Sequence, residues 1–354
     1  MLRIFARRSN DVRYFTDDPA LELDGLRPQG PGWWLRGAGD PTDPECVRAV
    51  LARTERASVV GYDVVVAAPR PVSILLALDE SSGGALVAAH RHAVAAAMGY
   101  LEERGLVVRT QVAGERYDVA ARWEKVVAFT HGLNRHGEPH LHDHVLVGAR
   151  PAGEDTVLDR RSLDVHAAAA DALYLAALRH EVNARTSWRA WRSFQGYDHV
   201  VGVDEGYRVL WGGHHEGRGE KLRWSREEAR ANWRNDLARY RLEAAPEAPR
   251  HAFDAHAYAA AFEGALTVTR RQVVAAWAHA ATFGERATRI DAGIDHVVPV
   301  LRDERGVREA SITVAQARSL ETSISRLLAS DRVRDPERHR ERERDSRADS
   351  WRSR

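Results

Sequence analysis

KVVAFTHGLNRHGEPHLHDHVLVGA, residues 125–149, decides how this chain folds. Lys125 to His131 and Leu141 to Ala149 are rich in aliphatic and β-branched residues and read as two strands. Between them lies the polar segment NRHGEPH, with Gly137 and Pro139 as turn residues. Successive strand side chains point to opposite faces, so His142 and His144 project together while Asp143 projects away. A hairpin reversing at His136 and Gly137 sets His131 opposite His142, where opposed Cβ atoms stand only ~4.5–5.5 Å apart. Three imidazoles then converge on one side of two adjacent strands, as a divalent cation requires, and open coordination positions would make such a site catalytic. A polar hairpin with surface histidines is the plainer account of any one of them, because the chain has 17. Three that converge on strands otherwise made of Val, Leu, Ala and Phe are less easily explained that way. His140 shares the parity of His142 and is an alternative third ligand nearer the turn; His136 reads as a loop residue.

Working outward, Leu2 to Phe5 reads as a short strand followed by a turn into a helix carrying Tyr14. Residues 25–45, rich in Gly and Pro with Trp33 and Trp34 inside, read as an irregular excursion. VVGYDVVVA, from Val59 to Ala67, is a buried strand. Ser82 to Gly105 places Leu86, Ala89, Ala93, Ala97 and Leu101 at helical spacing. An Ala-rich helix spans Arg161 to Ser187, Tyr207 to Gly212 reads as a last strand, and 214–330 as mostly helical. The tail from Asp331 to Arg354 is an Arg/Glu/Asp run too poor in apolar residues to fold by burial.

The 354 residues, 44% of them hydrophobic, suffice for one large or two ordinary domains with a real core. A single cysteine, Cys46, excludes an internal disulfide framework and a cysteine-based zinc ribbon, and suits a reducing cytoplasm. No run approaches the ~18 apolar residues of a membrane span, and Met1 to Asn10 lacks the apolar stretch of a secretory signal. The net charge of +1 does not advertise nucleic-acid binding. Its cations are arginines apart from Lys125 and Lys221, a skew that fits both a GC-rich genome and bidentate phosphate contacts. No G-x-x-x-x-G-K-[ST] loop is present, so the chain carries no NTPase motor.

Phe129 to Val147 resembles the metal-binding motif of the MobF (TrwC/TraI-type) conjugative relaxases of the HUH endonuclease class: an upstream His, an Arg, an acidic-Pro pair and a closing L-H-x-H. GYDVVVAAPRPVS, Gly61 to Ser73, is similar to that family's G-Y-D motif, and His90 to Glu102 to the helix that follows it. The similarity covers residues 1–215, a relaxase domain without the helicase part. Asp143 stands where the class has an apolar residue, and a carboxylate there must find solvent or a cationic partner. Arg70 and Pro71 replace the usual Lys and Ser. Where the family often has a cluster of tyrosines, this chain has Tyr14 followed by Phe15.

The resemblance implies an α/β fold: a mainly antiparallel sheet with helices on one face and the metal on the other, then a helical DNA-clamping extension. The implied division is 1–215 catalytic core, 216–330 helical extension and 331–354 charged tail. Tyr14 is the implied nucleophile, cutting single-stranded DNA at an origin of transfer and leaving a 5′-phosphotyrosyl bond. Asp63 either orients a ligand histidine or accepts the tyrosine proton. Mg²⁺ or Mn²⁺ is the expected working ion, although three imidazoles intrinsically favour Zn²⁺ or Ni²⁺. Arg70, Trp33, Trp34, the Trp188–Arg192 segment and an exposed pair, Arg270 and Arg271, are the candidate DNA contacts. Expected partners are origin DNA, accessory relaxosome proteins, a separate helicase and a type IV coupling protein. Tyr62, Tyr100 and Tyr117 are rival tyrosines better explained by packing. The rival functions are a rolling-circle replication initiator, a three-His zinc hydrolase of small esters and an inactive DNA-binding remnant.

Overall fold

The structure is a computed structural model that describes residues 1–16, 32–41, 43–51, 58–134, 136–151, 157–193, 195–203, 206, 226–239, 247–295, 300–303, 306–309, 311–321 and 324. The strand expected over Tyr207 to Gly212 and the charged tail lie outside these residues.

Up to residue 185 the elements are β1 (Leu2–Arg7), α1 (Arg13–Thr16), β2 (Gly32–Arg36), α2 (Pro44–Arg48), β3 (Gly61–Ala67), α3 (Arg70–Leu78), α4 (Gly83–Tyr100), β4 (Val107–Val112), β5 (Glu115–Ala120), β6 (Val126–Leu133), β7 (Pro139–Gly148) and α5 (Arg160–Arg185). The central sheet has the order β1-β3-β7-β6-β2, every neighbouring pair antiparallel. β3 and β6 are mostly apolar and buried, interrupted by Asp63 in the first and by Thr130 and His131 in the second, because both faces of the sheet are covered over much of their length.

One face, carrying Leu2, Ile4, Tyr62, Val64, Val66, Ala128, Val145 and Val147, packs on α3, α4 and α5 in the main core. Alanines dominate the α4–α5 contact, with Ala89, Ala93 and Ala97 meeting a helix that buries Ala169, Ala170 and Ala177, so the two axes can approach closely. The other face is covered only in part. Val127, Phe129 and Leu146 form a smaller cluster with Phe15 of α1 and Val47, Val50 and Leu51 around α2. The main helical layer lies on one face as expected, and toward one end of the second face His144 is half-buried and Tyr14 exposed.

Gly61 begins β3 where no side chain fits. A Cβ there would collide with the Val147 carbonyl oxygen and the Leu51 side chain. Gly61→Ala is therefore expected to cost ~1–3 kcal/mol through forced displacement of β7, lowering the midpoint of a thermal melt. An unchanged melt would show that β3 and β7 part more freely than their register implies.

Three expectations need correction. Residues 32–36 form an edge strand, with a register shift between Trp34 and Arg36, and not an irregular excursion. A hairpin, β4–β5, fills residues 107–120, where no element was expected. The later region contributes helices Arg226–Ala238, Ala255–Ala260, Arg270–Ala280 and Ala287–Asp295, but also strands. Val300–Asp303 pairs with Gly306–Glu309, which joins β5, and Thr267–Thr269 pairs with Ser311–Thr313. Helix Arg270–Ala280 packs on α5, where the buried Arg179 guanidinium donates to the carbonyls of Ala278 and Ala281.

Candidate metal centre

β6 and β7 pair with His131 opposite His142 and Phe129 opposite His144, so the three imidazoles share the partly covered face. The ladder shifts register between His131 and Leu133, and the chain reverses through Gly137, at φ 77°. Asn134 shapes that turn, its Oδ1 accepting from the backbone N–H groups of His136 and Glu138. Trp233, from helix Arg226–Ala238, donates its indole N–H to the Gly137 carbonyl at 2.7 Å and braces the hairpin tip. At the other end of the turn, Ser73 Oγ accepts from Leu141 N–H at 3.0 Å, anchoring β7 one residue before His142. This gives a physical role to the serine that closes the Gly61–Ser73 motif.

One nitrogen from each of His131, His142 and His144 lies within 4.8 Å of the others. The unused nitrogens are assigned by their neighbours. His142 Nδ1 faces its own strand's His140 carbonyl at 2.8 Å, and His144 Nδ1 faces both Asp63 oxygens at 3.0 Å. Each of those rings therefore carries its proton on Nδ1 and turns the Nε2 lone pair inward. His131 Nε2 is buried and has no hydrogen-bond partner, an orphan that a metal ion would satisfy. Burial, and then the charge a protonated His144 would bring, push His131 down to about 3. Burial and the neighbouring histidines hold His142 well below its ordinary value. The residues fit a divalent cation: three converging imidazoles, two of them oriented by outer partners and the third with an orphaned buried nitrogen. His140 lies against His142, 4.6 Å between ring centroids, but is outside the converging set, so His131 is the third member.

Tyr14 stands over the triad, its ring centroid 5.6 Å from that of His144 and 5.9 Å from that of His131. The helix expected to carry it is a single turn, α1, and what fixes it is Phe15. That side chain is 1% exposed and stacks on Phe129 at 5.2 Å, leaving Tyr14 45% exposed. The rival tyrosines are elsewhere. Tyr62 and Tyr100 are buried in the main core, and the Tyr117 hydroxyl donates to Glu115 on the β4–β5 hairpin.

Asp63, nearly buried in β3, is committed to His144 through both carboxylate oxygens. Asp63→Asn is accordingly expected to weaken metal affinity by ~10–100-fold, with excess metal restoring much of the rate. Metal titration of the variant checks this; a large rate defect that persists at saturating metal would instead make Asp63 the proton acceptor.

Asp143 points to the opposite face, as the alternation requires, and is fully buried. Burial alone would raise its pKa, but His90, Thr130 and Arg91 hold it below the ordinary value. Its oxygens lie 3.2 Å from His90 Nε2 and 3.0 Å from the Trp33 indole nitrogen, and His90 Nδ1 lies 2.8 Å from the Tyr174 hydroxyl. This network joins β2, α4 and α5 under the metal strand. Sequence reading missed it, although a signal was present: His90 falls on the apolar stripe of α4, four residues after Leu86.

The candidate DNA contacts are scattered. Trp33 is turned to the helix-covered face by its bond to Asp143, contrary to the expectation of an open stacking surface. Trp34 is half-buried against the smaller cluster, and its indole N–H donates to the Gly39 carbonyl. Arg70 donates to the Pro139 carbonyl at 3.1 Å and lies 3.6 Å from Glu138, tying α3 to the acidic-Pro pair. Arg270, expected to be exposed, is 2% exposed and paired with Asp291 and Asp295, whereas Arg271 is half-buried. In the Trp188–Arg192 segment, Trp188 donates to Asp79 and Trp191 stacks on His199.

A family model described as TrwC relaxase matches residues 23–211. No curated protein matches. Among solved structures, the conjugative relaxase TrwC in complex with oriT DNA is similar in its metal-bound form, at 18% identity and a TM-score of 0.52. Its copper-bound form gives 19% identity and a TM-score of 0.54. TrwC complexed with a 27-mer DNA comprising the recognition hairpin and the cleavage site gives 18% and 0.52. Each match covers 68% of this chain and 98% of the other. At this identity the likeness establishes the fold.

Proposed function

Because this chain belongs to the TrwC relaxase family, whose model spans residues 23–211, we propose that it nicks single-stranded DNA at an origin of transfer by tyrosine transesterification. The observation that carries the reading is the placement of Tyr14 over three converging histidines. A zinc hydrolase of small esters would leave that placement without a role.

In the proposed reaction the Tyr14 phenolic oxygen attacks a DNA phosphorus in line. A Tyr–O–P bond forms, the P–O3′ bond breaks, and a 5′-phosphotyrosyl end and a 3′-hydroxyl result. The phenol proton leaves to solvent, and the departing 3′-oxygen takes one up. An unperturbed tyrosine has a pKa of ~10, so the nucleophile needs assistance. His131, His142 and His144 would hold a divalent ion, which when bound would polarise the scissile phosphate and neutralise charge developing there. Asp63 keeps the His144 tautomer correct, and Phe15 holds Tyr14 above the site. The free 3′-hydroxyl can attack the phosphotyrosine in reverse, which rejoins the strand.

We take Mg²⁺ or Mn²⁺ as the working ion, with Zn²⁺ or Ni²⁺ acquired on purification. Residues 1–215 would form the catalytic core and 216–330 complete the DNA clamp, with Arg70, Trp34 and Arg271 as candidate contacts. Accessory relaxosome proteins, a separate helicase and a type IV coupling protein would act with it in the cytoplasm. No helix among the described residues is long and apolar enough to cross a membrane. Incubation with single-stranded fragments of the host element's transfer origin and Mg²⁺ or Mn²⁺, followed by denaturing electrophoresis, tests the reading. A slow-migrating protein–DNA adduct is expected, and none would appear if the chain were an inactive DNA-binding remnant.

A further inference from the structure

β1 is the edge strand beyond β3, and alternation sends Arg3, Phe5 and Arg7 to the same face as the histidine triad. Arg3 lies in one cross-strand row with Val65 and His144, and Phe5 lies opposite Asp63, the carboxylate that holds His144. Opposed Cβ atoms stand ~4.5–5.5 Å apart, so Phe5 is one strand away from the metal centre's outer partner. Its ring is 49% exposed, although Leu2 and Ile4 on the other side of the same strand are buried. A lone exposed aromatic is ordinary, but this one is flanked on its own face by two arginines. Arg3 is exposed. Arg7 is half-buried, its guanidinium 5.1 Å from the centroid of Phe15 beside Tyr14 and donating through Nη2 to the Asp11 carbonyl at 2.6 Å. Neither the core nor the nicking chemistry calls for an aromatic at position 5.

We propose that Arg3, Phe5 and Arg7 form a track for the single-stranded DNA entering the nicking site, Phe5 stacking one base and the two arginines holding phosphates on either side. The inference rests on the nicking function proposed above. Alternating cations and an aromatic along an extended strand match a polyanion that carries stacked bases, and the row leads to the nucleophile.

The test uses the full chain, labelled oligodeoxythymidine as the binding probe, and single-stranded origin fragments for adduct formation. Phe5→Ala is expected to weaken binding by about tenfold or more, and Phe5→Trp to restore it. Arg3→Ala should reduce the slope of log affinity against log salt by ~0.7. Because Phe5 is half in water, the Phe5→Ala melt should match wild type. An abasic scan of the origin fragment should find one position whose loss is non-additive with Phe5→Ala. Wild-type affinity in Phe5→Ala overturns the track, as does a binding loss that merely follows a lowered melt. A change of oligomeric mass with DNA binding intact would make β1 a protein interface instead. A wild-type chain that binds DNA through Phe5 yet forms no adduct contradicts the nicking function and leaves the track standing.

Discussion

Tyr14→Phe is expected to abolish the covalent protein–DNA adduct, by ~10³-fold or more, while binding to single-stranded DNA persists. Phenylalanine keeps the ring that packs on Phe15 and faces His131 and His144, and removes only the oxygen that forms the new phosphoester. The ring is 45% exposed, so little stability is at stake. Among the described residues no neighbouring tyrosine can substitute. Phe15 follows directly, no other tyrosine precedes Tyr62, and Tyr62 is buried on the opposite face of the sheet. The same geometry limits the wild type to one covalent strand per chain, so ending a transfer needs a second molecule or direct attack by the 3′-hydroxyl. A two-oligonucleotide trapping assay resolved by mass checks both points. A monomer carrying two covalent strands would sink the single-nucleophile account, and an adduct surviving in Tyr14→Phe would sink the assignment of Tyr14.

His142→Ala and His144→Ala should each remove most bound divalent ion and nearly all cleavage. Losing one of three imidazoles should exceed the ~10–100-fold effect of losing an outer partner such as Asp63. His142 is already oriented through its Nδ1 by the His140 carbonyl and His144 by Asp63, so alanine removes a ligand that was held ready to bind. His136→Ala, in the turn, should leave metal content almost unchanged. Metal stoichiometry and nicking rate measured on the same preparations decide it, and unchanged metal in both strand variants would falsify the site.

The histidine site was legible because it is local. Two aliphatic runs and one polar turn set the pairing, and strand alternation sends His142 and His144 to one face and Asp143 to the other. The register shift after His131 leaves that pair undisturbed. What was not legible depends on distant partners. Trp33 faces the helices because Asp143, far along the chain, accepts its indole N–H. Arg270 sits on a helix whose own pattern suggests exposure, and only the acidic pair Asp291 and Asp295 on a later helix explains its burial. The strand Gly306–Glu309 forms because β5 offers an edge to pair with, which a local reading of that segment does not supply. Asp63 was identified with two roles open, and its two contacts to His144 favour orientation over proton acceptance.

The most direct measurement is to trap the adduct on a single-stranded origin fragment, digest the protein, and locate the DNA-bearing peptide by mass spectrometry, with and without divalent ion. The account predicts one modified peptide, carrying its nucleotide on Tyr14, formed when the ion is present and lost when it is chelated. DNA attached to any other residue, or cleavage that proceeds with no covalent intermediate, would contradict it.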